Sequence, residues 1–291
     1  MIRRLVLAKY QYRTGLSIMH EALPMSGGLA LSLFHDAVET MAWTTVSAVE
    51  GPVKDQLPFT QLWEAVKAGK KNTDEKALPL QAVMLELNKV RVAFKHYGIV
   101  PDVKDVDRLS VHAEEFLRNT MHMFFGQEFD RITMADIIEA AKVRNQIKIS
   151  EQHLAEGDFK EVAKACAIAE HYILAQFENI IPDFSLHRLE AGTDNEREIK
   201  RALSAFYNMR KSCLLMLSGG NIGPYLRFRH FAPRVQEALS GHILVSGAPP
   251  EMKKEDAEFC LKYATDYALK AQDHIRGADH QAGSYYASNV N

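Results

Sequence analysis

GLALSLFHDAVETMAWTTVSAV, residues Gly28–Val49, is the stretch on which the fold turns. Apolar residues fall at Ala30, Leu33, Phe34, Ala37, Val38, Met41 and Ala42. That spacing is the i, i+3, i+4, i+7 signature of a helix with one buried stripe. Gly51-Pro52 then breaks the helix. The residues around it read as further helices that would pack with it as a bundle.

They do so in both directions along the chain. Val6–Glu21 reads as a preceding helix and Thr60–Ala68 as a short one. KAGKKNTDEKA is a charged loop. In Leu78–Tyr97 the stripe is Val83, Leu87, Val90 and Phe94, with Pro79 suited to the first turn, Gly98 as the stop and Pro101 just beyond. Asp105–Phe125 opens on acidic residues that suit the helix dipole and closes at Gly126. Short connections between such helices pack them as a bundle.

The second half has a different texture. Two helices flank AEGD (Ala155–Asp158), with Asp158 as a cap, which predicts an antiparallel helical hairpin. Ile181–Glu198 reads as a linker and Glu196–Leu217 as a helix. Alternation in YLRFRHF and the apolar run HILV predict a small β-hairpin near residues 224–246. A last helix is expected over Lys253–Ile275, followed by a flexible tail. The expected class is mainly α, in four segments: a helical bundle (1–127), a helical hairpin (128–182), a C-terminal helical region with a short β segment (183–276) and the tail (277–291).

Bulk properties exclude several classes. The chain has 291 residues, 47% hydrophobic and 25% charged, with a net charge of -2, so any nucleic-acid contact must come from a local patch. The opening MIRRLVLAKYQYRTG predicts no signal peptide, and no run approaches a membrane span. Cys166, Cys213 and Cys260 are odd in number and lack CxxC spacing, so a reducing cytoplasm and neither disulfide nor zinc are expected. His112 with Glu115, and Glu170 beside His171, lack a third ligand at recognisable spacing, so no metal and no cofactor are expected. SGGNIGP lacks the Lys-Ser/Thr of a phosphate loop and reads as a turn.

The candidate chemistry lies in KVRVAFKHYGIVPD, Lys89–Asp102, where His96 follows Arg91 by five residues. Cleaving RNA without a metal needs a base for the 2′-hydroxyl, an acid for the leaving oxygen and a cation for the phosphate. Histidine titrates near neutrality and serves as acid or base. Arginine stays charged and its planar fork matches a phosphate. Five residues of helix turn the two side chains about 140° apart. They converge only where the helix unwinds before Gly98, or where a second copy supplies the other half. Asp36 and Glu39, three apart on one helix face, can orient the pair. Lys95 can meet phosphate, and Arg227, Arg229 and His230 in RFRHFAPR mix cations with aromatics as single-strand RNA binders do. Arg13 with His20 has a similar spacing but precedes the helix that opens the bundle.

LALSLFHDAVETMAW, FTQLWEAVKAG, LNKVRVAFKHYG and VDRLSVHAEEFLRNTM follow one another in an order and with loop lengths that resemble the HEPN superfamily. The resemblance covers roughly residues 5–125. It implies a four-helix bundle whose Arg-x4-6-His motif, at the end of the third long helix, coincides with Arg91 and His96. Val92 stands where that motif often has a polar residue. The resemblance further implies a homodimeric, metal-independent endoribonuclease of a prokaryotic toxin or phage-defence system. RNA is then the substrate, and an antitoxin or defence-system protein a partner. The alternative it leaves is a non-catalytic module binding nucleotide, nucleic acid or a protein.

Overall fold

The computed structural model describes residues 1–19, 21, 23, 25–52, 57–177, 206, 209–210, 212–238, 240–247 and 251–288, with side chains to residue 276. The chain divides into two compact units, Met1–Ile137 and Ile138–Asn291.

The first unit is built around α2 (Ser26–Ala48), which packs against α1 (Ile2–Met19), α3 (Leu62–Lys67), α4 (Gln81–Tyr97) and α5 (Val103–Phe125). Its buried positions include Ala30, Leu31, Phe34, Ala37, Val38, Met41, Ala42 and Val46. Leu31 rather than Leu33 faces inward; Leu33 is only half-buried. Small residues let the helices approach closely. A Cβ on Gly15 of α1 would lie 2.6 Å from the Phe34 ring. Tyr12 packs on Phe34 (centroids 5.4 Å apart) and on Phe129 (6.1 Å). Phe59 and Trp63 continue the aromatic core towards Phe116, with ring centroids 5.3 and 6.0 Å apart.

The unit runs past residue 127 because Phe129 and Ile132 complete its core. Lys9 Nζ donates to the Ile132 carbonyl at 2.7 Å and fixes that segment to α1. Arg118 holds Glu114 and Asp130 together, and Glu114 accepts the Tyr12 hydroxyl at 2.9 Å.

α4 starts later than its sequence predicts. Pro79 lies outside the helix, and Leu80 takes a left-handed φ of 52° before Gln81 begins the first turn. Met84 and Leu87 are its buried residues, while Val83, Val90 and Phe94 are half-buried. The far end matches the glycine signal. Gly98 has φ 68°, and the Ile99 N–H reaches back to the Ala93 carbonyl, closing the helix with a left-handed cap. Asp102 then caps α5 by accepting from the Lys104 N–H at 2.8 Å.

In the second unit α6 (Ala141–Glu156) and α7 (Phe159–Ala175) form the expected pair. Gly157 sits at φ 80° in the turn, and Asp158 accepts from the Glu161 N–H. The linker expected at 181–198 lies outside the described residues; residues 212–217, from the helix expected next, are helical.

The largest departure follows. YLRFRHF is not a strand but part of α8 (Ile222–Phe231). Asn221 caps it by accepting from Gly223 N–H, and Pro224 fits the first turn, where it forfeits no helical hydrogen bond. Phe228 is fully buried, stacked on Tyr263 at 4.6 Å. The hairpin begins only afterwards, pairing β1 (Arg234–Glu237) with β2 (Ile243–Ser246) antiparallel in the register Val235↔Val245. α9 spans Lys254–Ser288, so helix replaces most of the tail expected to be flexible. No helix among the described residues is long and apolar enough to cross a membrane.

Burial ranks the two phenylalanines. Phe34 has no exposed surface and Phe94 is half-buried. Phe34→Ala should therefore cost about 3–5 kcal/mol in urea denaturation, and Phe94→Ala less than half as much. Equal losses would show that α4 packs more deeply than described.

Candidate functional site

α2 carries three ionisable side chains, His35, Asp36 and Glu39, all in one turn. The rest of the helix is apolar, small or uncharged, so this turn concentrates its electrostatics. His35 is 2% exposed and packs its ring on Phe59 at 4.5 Å. Its Nδ1 faces Asp36 Oδ1 at 3.5 Å and Glu39 Oε2 at 3.8 Å. Among the described residues neither ring nitrogen has a hydrogen-bond partner, so the two contacts are electrostatic proximity rather than made bonds.

Arg91 arrives from α4. One of its terminal nitrogens lies 3.5 Å from Asp36 Oδ1, and its side chain is 19% exposed. The Arg91 Nε is buried and, among the described residues, without a hydrogen-bond partner. The guanidinium is thus held at one end by Asp36 with part of its fork uncommitted. The His35 imidazole, then Arg91 and Lys95, hold the Asp36 carboxyl below the usual carboxylate range, against the opposing effect of burial.

Of the residues singled out from sequence, the structure brings together Arg91 and Asp36, with Glu39 joined through His35 and Lys95 close enough to act on Asp36. His96 is exposed on the last turn of α4, ahead of the Gly98 cap. The second-unit cations have their own partners. Arg227 lies over Phe259 at 4.0 Å, Arg229 is 3.8 Å from Glu170, and His230 contacts Phe231. His112 pairs with Glu115 at 3.5 Å, whereas His171 turns to Glu237 rather than to its neighbour Glu170.

His35 is the residue that spacing overlooked. A stripe counted from Leu31 instead of Leu33 runs through Phe34, His35 and Val38 at i+3, i+4 and i+7, and so predicts His35 buried. Together these groups make a charged seam between two helices: a partly free guanidinium, two carboxylates, and a lysine and a histidine at the exposed end of α4. Such a seam can hold an anion on its arginine side or a cation on its carboxylate side.

No family model, curated protein or solved structure matches the chain.

The lowered Asp36 titration carries a pH signature. A carboxylate depressed in the folded state contributes stability above its unfolded pKa of about 4. That stability disappears as pH falls through the lower folded value. The urea midpoint of wild type should exceed that of Asp36→Asn at pH 7 by a small, solvent-screened margin. The margin should close as the pH is taken below about 4. A margin unchanged with pH would mean that the Asp36 charge does not interact with Arg91 and His35 as described.

Proposed function

We propose that the first unit is a HEPN-type module acting as a metal-independent endoribonuclease of the prokaryotic toxin or phage-defence kind, and that two copies of the chain share one cleft. The carrying observation is the surface beside His96. Tyr97, Ile99, Val100 and Val103 are exposed around the α4–α5 turn, and Leu23, Met25 and Leu29 are exposed near the start of α2. A Cβ on Gly27 would meet Val106 and Pro101, and one on Gly28 the Phe94 ring, so the start of α2 lies beside the α4–α5 turn. Exposed apolar side chains gathered at one end of a helical unit suit protein contact. A second copy seated there would bring another Arg91 and His96 to the same end of the bundle.

In that cleft one histidine takes the proton of the RNA 2′-hydroxyl, and the freed oxygen attacks the adjacent phosphorus. The bond to the 5′-oxygen breaks, a second acid returns a proton to it, and a cyclic phosphate is left. Arg91 balances the charge that builds on the phosphate. Asp36 keeps the guanidinium from drifting, and Lys95 adds attraction for the backbone. Val92, half-buried behind Arg91, favours the second reading, a non-catalytic module that binds nucleotide, nucleic acid or a protein partner.

The test is cleavage of a mixed RNA pool in chelator. Wild type should cleave, and His96→Ala and Arg91→Ala should slow cleavage by about 10²–10⁴-fold with little change in melting temperature. Val103→Glu, a charge placed on the apolar surface, should turn a dimer seen by light scattering into a monomer and take activity with it. Cleavage by His96→Ala at the wild-type rate would refute the assignment. Binding of nucleotide or RNA without cleavage would favour the second reading.

A further inference from the structure

We propose that His35, Asp36 and Glu39 form a site for a late first-row divalent cation of the zinc class. This proposal stands whether or not the chain cleaves RNA.

The three groups each offer one ligand atom, and these atoms lie within 4.8 Å of one another. Zinc bonds to imidazole nitrogen and carboxylate oxygen are about 2.0–2.2 Å, so neighbouring ligands of a tetrahedral ion stand roughly 3.3–3.5 Å apart. The separations from His35 Nδ1 are 3.5 Å to Asp36 and 3.8 Å to Glu39. Seating an ion needs those atoms to close by only a few tenths of an ångström, and the two carboxylate oxygens, which lie within 4.8 Å of each other, to draw together by up to roughly 1.3 Å through rotation of their partly exposed side chains. All three sit on one turn of α2, in the middle of the unit's central helix, so the donors are held by a rigid element.

The buried histidine is the independent sign. It is only 2% exposed, and among the described residues neither nitrogen meets a hydrogen-bond partner, yet Nδ1 lies 3.5 and 3.8 Å from two carboxylates. Buried polar atoms are seldom left so. A cation coordinated by Nδ1 and flanked by two carboxylates satisfies that nitrogen without requiring the ring to be charged. An imidazole donor favours zinc and its first-row neighbours over magnesium and calcium, which prefer all-oxygen shells. Asp36 and Glu39 are partly exposed, with 41% and 35% of their side chains open, so the fourth position is accessible to water.

Arg91 opposes the ion. Its guanidinium and the cation compete for the same carboxylate, Asp36. Occupancy therefore loosens Arg91 from Asp36, and removing Arg91 strengthens metal binding. That dependence separates this site from a scattered surface histidine.

The experiment is calorimetric titration of Zn2+ into the full chain freed of metal, paired with Co2+ absorption spectra. Wild type should bind one ion per chain saturably and give Co2+ d–d bands of low coordination number. Glu39→Gln, on the accessible side of the turn, should weaken binding at least ten-fold and remove the bands. His35→Phe, where it folds, should do the same. Arg91→Gln should tighten binding several-fold, while His112→Ala, at an unrelated exposed His–Glu pair, should change nothing. Absence of stoichiometric binding by wild type would overturn the proposal, as would Glu39→Gln binding as tightly as wild type.

Discussion

Burying α2 is the constraint on which the first unit depends. Helices packed on several sides leave this helix few ways to keep a charge in water, and it carries ionisable groups in only one turn. His35 is drawn inward onto Phe59 while Asp36 and Glu39 stay at the rim. Two carboxylates beside a nearly buried ring need a counter-charge, and Arg91 from α4 supplies one at 3.5 Å. The same contact registers α4 against α2. Phe94, three residues further along, lies over Gly28, where no larger residue fits without displacing the ring. The position of the α4 C-terminal turn, and so of Lys95 and His96, follows from that packing.

The proposed chemistry inherits its geometry from this arrangement. Arg91 is pinned and partly sheltered, whereas His96 is exposed and about 140° further around the helix. One chain offers an arginine from the helix seam and a histidine from the helix end. Pairing them across two copies resolves the mismatch, and the apolar residues around Tyr97 and Ile99 give the second copy a place to sit. The zinc-class site at His35 adds a second layer, because an ion there and Arg91 draw on one carboxylate.

Much of this was legible in the sequence wherever a local rule had no competitor. Gly98, Gly126 and Gly157 terminate their helices in left-handed conformations as their positions predict, and Asp158 caps α7. Failures came where two periodicities fit the same residues. YLRFRHF alternates like a strand, yet the Asn221 cap and the buried contact of Phe228 with Tyr263 make it a helix. The α2 stripe can be counted from Leu31 or Leu33, and only the former exposes the burial of His35. Pro79 can begin a helix, but Leu80 turns the chain first. Local periodicity fitted both alternatives, and capping, backbone turns and tertiary contacts chose between them. The side-chain distances among Arg91, Asp36, His35 and Glu39 depend on how α4 lies on α2 and had no counterpart in spacing.

The central claim, that Arg91 of one copy works with His96 of another, is tested most directly by subunit complementation. Arg91→Ala and His96→Ala chains, each inactive alone, are co-expressed, and the mixed dimer is purified with two different tags. That dimer retains one Arg91 and one His96 on opposite chains. The account predicts that it cleaves RNA in chelator well above either parent. A mixed dimer as inactive as its parents, beside a wild type that cleaves, would contradict a site shared between two copies.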